Sequence, residues 1–234
     1  MITMEDTSPE DYFKSFGAPK NISPLNSIDR YRFKLFFDFL AEGSILDIGV
    51  LFGGFLKYVR KKDPSRVIFG TEMNEERAEY SNQIIGEKII RVDFRNGQLG
   101  SFEEGSVDNI VCSEVFEHLK DNRIALKELC RVAKKRVIIS VPYNEKIFYH
   151  HCIHCWKYTP AFSHLHSYQL DSFDCIVPEG WYITSRGTFG NLISKFIAKK
   201  MDAYVIIFIV EKIFSRFFPN MNSWMYVVLT KKVM

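Results

Sequence analysis

Residues 44–62 read SILDIGVLFGGFLKYVRKK: a short apolar run, a turn carrying Gly49, Gly53 and Gly54, and a segment of helical pattern. An apolar run of this length suits a buried strand, so strand, glycine turn and helix follow one another directly. Upstream, Ile28, Tyr31, Leu35 and Phe39 recur at three- and four-residue spacing, which predicts a helix with these residues on one face. Residues 1–25 contain Pro9, Gly17, Pro19 and Pro24 without any period and read as an arm.

The alternation repeats downstream. RVIFGTEM (66–73) is strand-like, and Asn74 then stands as an N-cap, with Glu75 and Glu76 in the first turn where the helix dipole favours acids. KIIRVDF (88–94), VDNIVCSEV (107–115) and RVIISVPY (136–143) read as strands three to five, with Leu126, Leu129 and Val132 marking an apolar helix face between the last two. Strands that are apolar on both faces and alternate with helices imply an α/β fold, a parallel sheet covered on both sides. Residues 144–180 break the pattern and read as an insertion with a short helix near 168–176. WYITSRGT (181–188) returns to strand character, 189–217 is a long apolar helical stretch, and SWMYVVLTKK (223–232) is a closing strand.

Open α/β sheets bind ligands beyond the carboxyl ends of their strands, around the first strand–turn–helix. Glycine at 49 and 53 lets a ligand approach the backbone. Glu72 ends the second strand nineteen residues past Gly53, where a carboxylate accepts hydrogen bonds from two ribose hydroxyls. Asp93 ends the third strand within reach of an adenine amino group. A nicotinamide-binding protein would want G-x-G-x-x-G, which the turn lacks because Leu51 holds the second glycine position.

ILDIG, Glu72, VDF at 92–94, and VDNIVCSEVFEHL (107–119) followed by ALKELCRVAKKRVIISVP resemble the class I S-adenosylmethionine (SAM) dependent methyltransferases over about residues 40–143. The resemblance implies a Rossmann-like seven-stranded, mostly parallel sheet with helices on both faces and the last strand antiparallel, in a single domain spanning 1–234. It implies that Asp47, Gly49 and Gly53 lie along the methionine part of SAM, that Glu72 binds ribose, and that Asp93 lies near adenine with Met73 and Phe94 flanking the ring. Leu51 and Ser113 complete the candidate cofactor contacts, although the family usually carries glycine where Leu51 stands.

The implied activity is methyl transfer to a small-molecule, glycan or lipid-linked acceptor, with O-methylation expected; a non-catalytic SAM-fold binding protein is the alternative. His118 is the candidate base. It and Glu117 have a structural reading as well, in which His118 caps the next helix. SVPY (140–143) has Ser140 where the D-P-P-Y motif of DNA amino-methyltransferases carries an acid or amide, and it follows the fifth strand rather than the fourth. With a net charge of only +3, nucleic acid is not the expected partner.

Five of the six histidines fall between 150 and 166, together with Cys152 and Cys155. C-x-x-C followed by His164 and His166 offers two thiolates and one or two imidazoles, a donor set for structural zinc. HCIHCWKYTPAFSHLHSY also looks like the broken zinc ribbon inserted after the fifth strand in some bacterial methyltransferases, which matches Cys152, Cys155 and His164. The fourth ligand is open between His166, His151 and Cys175, and a folded lid with free cysteines is the other reading.

The chain is unusually aromatic, with 21 Phe, 11 Tyr and 3 Trp among 234 residues, so large apolar surfaces need cover. Many of these rings fall in the insertion and in 189–218. That last stretch reads as a lid, a core element or a homodimer contact, with a membrane-surface helix as the alternative. The apolar run from Ala203 to Val210 is too short to span a bilayer. MITMEDTSPEDYFK has no signal-peptide pattern, and five cysteines is an odd count; a cytoplasmic protein, with membrane association left open, is expected.

Overall fold

A computed structural model describes residues 26–86, 89–100, 102–151, 156–201 and 204–232. The elements are α1 (Ser27–Phe39), β1 (Ile45–Ile48), α2 (Gly54–Lys62), β2 (Ile68–Glu72), α3 (Glu75–Ile85), β3 (Ile89–Arg91), β4 (Val107–Ser113), α4 (Asn122–Val132), β5 (Ala133–Pro142), β6 (Tyr149–His151), β7 (Tyr158–Pro160), β8 (Trp181–Asn191), α5 (Leu192–Met201), α6 (Tyr204–Phe217) and β9 (Asn222–Lys231). Seven strands form one sheet in the order β3-β2-β1-β4-β5-β9-β8. β1 to β5 pair in parallel, and β9 runs antiparallel between β5 and β8. This is the sheet the sequence implied.

The helices start where local chemistry allows. Asn26, Asn74 and Asp121 each accept a backbone N–H of the first turn of α1, α3 and α4, which satisfies donors that have no partner inside the helix. α2 has no such cap. Its N-cap is Gly53 at φ 68°, a left-handed conformation that glycine adopts without a Cβ penalty.

Side chains alternate across β1, so its four residues serve two cores. Leu46 and Ile48 pack with Ile110, Cys112, Leu126, Leu129 and Phe173 on one face. Ile45 packs with Phe33, Phe36, Phe55, Leu56 and Val59 on the other. Asp47 shares the face of Ile45, towards α1 and α2. The pleat therefore places a carboxylate under α1.

Three segments depart from expectation. In α1 the buried residues are Ser27, Ile28, Phe33 and Phe36, while Tyr31, Leu35 and Phe39 are only partly covered, because α1 is packed between α2 and α6 rather than laid along one stripe. Residues 170–176 form successive turns rather than a helix, with Phe173 alone driven fully into the core. The stretch 189–217 is not one helix: 189–191 finish β8, and two helices follow.

Those two helices are anchored by one buried acid. Glu211 on α6 accepts hydrogen bonds from the backbone N–H groups of Gly190 and Asn191 and from the Ser215 hydroxyl. Tyr31 on α1 meets Phe208 on α6 with ring centroids 5.5 Å apart. The outer face stays apolar and exposed, carrying Leu192, Phe196, Val205, Ile209, Ile213 and Phe217. Among the described residues no helix is long and apolar enough to cross a membrane.

Candidate active site

A cavity of about 1260 Å³ opens at the carboxyl ends of β1, β2 and β4, between them and α1. Its wall includes Asp47, Gly49, Leu51, Glu72, Met73, Phe94, Ser113 and His118, all singled out in the sequence. Gly53, the N-cap of α2, faces Ile85 and Ser81 instead, and Gly54 lines the cavity.

Glu72 is the most tightly held of these. One oxygen accepts from the N–H groups of Met73 (3.0 Å) and Asn74 (3.1 Å), and the other accepts from Leu51 (3.0 Å). The carboxylate thus braces the glycine turn, and Leu51 is kept at φ 53°, a left-handed conformation unfavourable for leucine. Gly49 (φ 74°) has Val115 so close that an added Cβ would sit 2.6 Å from its Cγ2. This turn fits tightly against the segment after β4.

Asp47 is only 5% exposed. Burial pushes its carboxyl up to about 8, opposed by the nearby Arg32 guanidinium and reinforced by Glu72. Arg32, on α1, also lines the cavity, and its Nε is buried with no hydrogen-bond partner among the described residues. A buried, partnerless guanidinium nitrogen beside a cavity calls for an anionic ligand group. Sequence reasoning missed Arg32. The signal was there, a charge four residues after Ile28 on the helix's inward side.

Asp93 falls elsewhere than expected. Its carboxylate caps the short turn 94–96 and pairs with the Arg95 guanidinium (Nε–Oδ1 2.8 Å), and Arg95, not Asp93, lines the cavity. The pairing follows from the turn, which folds residue 95 back over 93.

The segment after β4 supplies the opposite wall. Glu114, not singled out in the sequence, lines the cavity at φ 54°, which is strained for glutamate. Its carboxylate accepts from Trp224 Nε1 (2.8 Å) on β9 and Ser140 Oγ (3.2 Å) on β5. Burial raises its pKa, while Arg32 acts in the other direction. An acid directly after a central parallel strand was the available signal.

His118 does not cap α4; Asp121, the residue immediately before the helix, does, accepting from the N–H groups of Arg123 and Ile124. His118 Nδ1 lies 3.2 Å from the Ser163 carbonyl, and its ring meets that of His164 at 4.9 Å. Burial lowers its pKa to about 4, so the imidazole is neutral and a weak base. Glu117 is 1% exposed, and burial and Glu114 hold its pKa well above the usual range.

Cys152 and Cys155 lie outside the described residues. The remaining candidate zinc ligands do not converge. His164 Nδ1 pairs with Glu145 Oε2 (2.6 Å), His166 Nε2 donates to the Leu119 carbonyl (2.8 Å), His151 Nδ1 faces the Trp156 carbonyl (3.1 Å), and Cys175 is exposed. The insertion folds inward at 163–166 to meet the segment after β4, which turns His164 towards Glu117 and His118 instead of His166.

Sheet order, the braced glycine turn and the acid after β2 place this cavity where open α/β sheets bind their ligands. Residues 46–141 match the family model described as "Methyltransferase domain", and the sheet has the Rossmann-like methyltransferase fold. No curated protein sequence matches it. Similar solved structures include the [4+2]-cyclase SpnF (12% identity, 93% of this chain and 87% of that chain, TM-score 0.61). Others are SAM-dependent methyltransferases from Archaeoglobus fulgidus (16%, 86% and 91%, TM-score 0.60) and Aquifex aeolicus (15%, 95% and 98%, TM-score 0.56). At these identities the likeness establishes the fold.

The cavity's residues fit SAM by charge. The partnerless Arg32 Nε suits the methionine carboxylate, Asp47 the α-ammonium group, and Glu72 the ribose hydroxyls.

Proposed function

We propose that the protein methylates a hydroxyl oxygen of a small-molecule, glycan or lipid-linked acceptor. When bound, SAM supplies a methyl group already activated on its sulfonium. Arg32 and Asp47 hold the two charges of its methionine end, Glu72 holds ribose, and Met73 and Phe94 flank the adenine. The residues' task is orientation, which is worth the most when no further activation of the methyl is needed.

The observation that carries the choice of oxygen is Glu114. A hydroxyl nucleophile must lose a proton during transfer, and a carboxylate lining the cavity, aimed by Trp224 and Ser140, is placed to take it. His118, with a pKa of about 4, is the poorer base and serves better as a fixed wall or ligand. The exposed apolar face of α5 and α6 supports an acceptor carried on a lipid, delivered beside the cavity mouth at Tyr204.

Transfer of labelled methyl from SAM into a fractionated extract tests this reading. A labelled product carrying an O-linked methyl is expected, and Glu114→Gln should lower kcat by roughly 10²–10⁴-fold, the usual contribution of a general base. Tight SAM binding with no labelled product, or a methyl found on nitrogen, would overturn it.

A further inference from the structure

The insertion and the segment after β4 meet at a cluster that neither cofactor binding nor the acceptor reading accounts for. Glu117 and His118 lie in the short turn 116–118, and His164 comes from the insertion. Each offers a ligand atom, and the three atoms lie within 4.8 Å of one another. We propose that Glu117, His118 and His164 bind a divalent transition-metal ion, pinning the insertion to the sheet at the edge of the cavity.

Two features point to a cation there. Glu117 Oε2 is buried and has no hydrogen-bond partner among the described residues. A metal ion bound by this carboxylate would neutralise its buried charge. Glu114 and Glu145 stand close by and add negative charge.

The histidines are also set up as ligands. Nδ1 of His118 faces the Ser163 carbonyl, which can only accept, so the neutral ring carries its proton on Nδ1 and its lone pair on Nε2. Nδ1 of His164 faces Glu145 Oε2 at 2.6 Å, which likewise leaves Nε2 as the lone-pair end, 4.0 Å from Glu117 Oε1. An imidazole held at one nitrogen by a carboxylate or a carbonyl is the usual support of a metal-bound histidine. The surrounding docking is already in place: Leu165 N–H donates to the Glu117 carbonyl at 2.8 Å.

Two imidazoles and one carboxylate favour borderline ions such as zinc, cobalt or nickel over magnesium or calcium. Three protein ligands leave a coordination position open. Because His118 lines the cavity, that position can take an acceptor hydroxyl and polarise it. This last consequence rests on the O-methylation reading; metal binding itself does not.

The test uses full-length protein stripped with a chelator and titrated with Co²⁺, followed by its visible absorption, with Zn²⁺ and Mg²⁺ as competitors. A saturable band at about one Co²⁺ per chain is expected, displaced by Zn²⁺ and not by Mg²⁺. Glu117→Gln and His164→Ala, with His118→Asn as a second route if either misfolds, should lose the band. Glu145→Gln should weaken binding about 10–100-fold. Cys152→Ser combined with Cys155→Ser should leave it intact. Calorimetric binding of S-adenosylhomocysteine to the metal-free protein and to each variant reports on the cofactor site separately. A wild-type protein that binds S-adenosylhomocysteine but shows no saturable Co²⁺ band overturns the site. So does a band abolished by the cysteine pair and untouched by Glu117→Gln.

Discussion

Glu72→Gln strikes the residue that joins the glycine turn to the ligand. Three backbone N–H groups converge on the two Glu72 oxygens, two on one and one on the other. A glutamine keeps one oxygen, and its best orientation gives that oxygen to Met73 and Asn74. The amide NH₂ then confronts the Leu51 N–H, donor against donor, at a spot where the native separation is 3.0 Å. Leaving this part-buried donor facing another donor costs about 1–3 kcal/mol. The two surviving bonds lose their charge assistance, which roughly halves them, for a total of about 2–4 kcal/mol. In a chain of this size that lowers Tm by roughly 4–16 °C. The ribose loses a charged acceptor as well, so affinity for S-adenosylhomocysteine should fall by about 100-fold, near 2.7 kcal/mol. Thermal denaturation without ligand and titration calorimetry with it read the two effects separately. A Tm within about 1 °C of wild type would refute the bracing role, and affinity within about threefold would refute the ribose contact.

Arg32→Gln should weaken S-adenosylhomocysteine binding by about 10–100-fold while leaving the sheet intact, since a charge-assisted bond is worth about 1.5–3 kcal/mol; unchanged calorimetric affinity would remove Arg32 from the site. Asp47 is raised in the folded state from 3.8 to about 8, so the folded protein holds the proton more tightly and stability drains away as pH climbs between those values. Asp47→Asn abolishes that loss: in ligand-free protein its Tm advantage over wild type should widen from pH 4 to pH 8 and level off above, while ligand affinity drops, and parallel Tm profiles would contradict the assignment. Leu51→Gly relieves a left-handed leucine, worth about 1–2 kcal/mol, against about 0.5–1 kcal/mol of added chain entropy. With the side chain already 47% exposed, stability should stay nearly level and ligand binding tighten; weaker binding would mean that Leu51 packs on the cofactor.

The sheet was legible because its information is local. Each of β1 to β5 contains a short apolar run, α1 to α4 each begin at an Asn, Asp or Gly cap, and the pattern changes to a 3.6 period where strand gives way to helix. Glu72 was legible for a similar reason: the distance from a glycine turn to the end of the next strand is set by one helix and one strand. The zinc expectation came from the same kind of counting and met its limit, because spacing along the chain says which donors are near in sequence, not which way a loop folds. His164 went to Glu117 and His118, 47 and 46 residues away in sequence, through backbone docking at Leu165 that no pattern of residues announces.

Arg32 and Glu114 mark the same boundary. Both are ordinary charged residues in sequence: Arg32 stands on a helix outside every motif, and Glu114 sits within the 107–119 motif without a role that spacing assigns. They become site residues because the pleat of β1 turns Asp47 towards α1, and because the β4–β5–β9 pairing brings Trp224 and Ser140 to Glu114. Periodicity and turn chemistry determine which elements form and in what order, since those forces act within a few residues. The partner of a buried charge depends on which elements are stacked against it, and that is a property of the folded sheet.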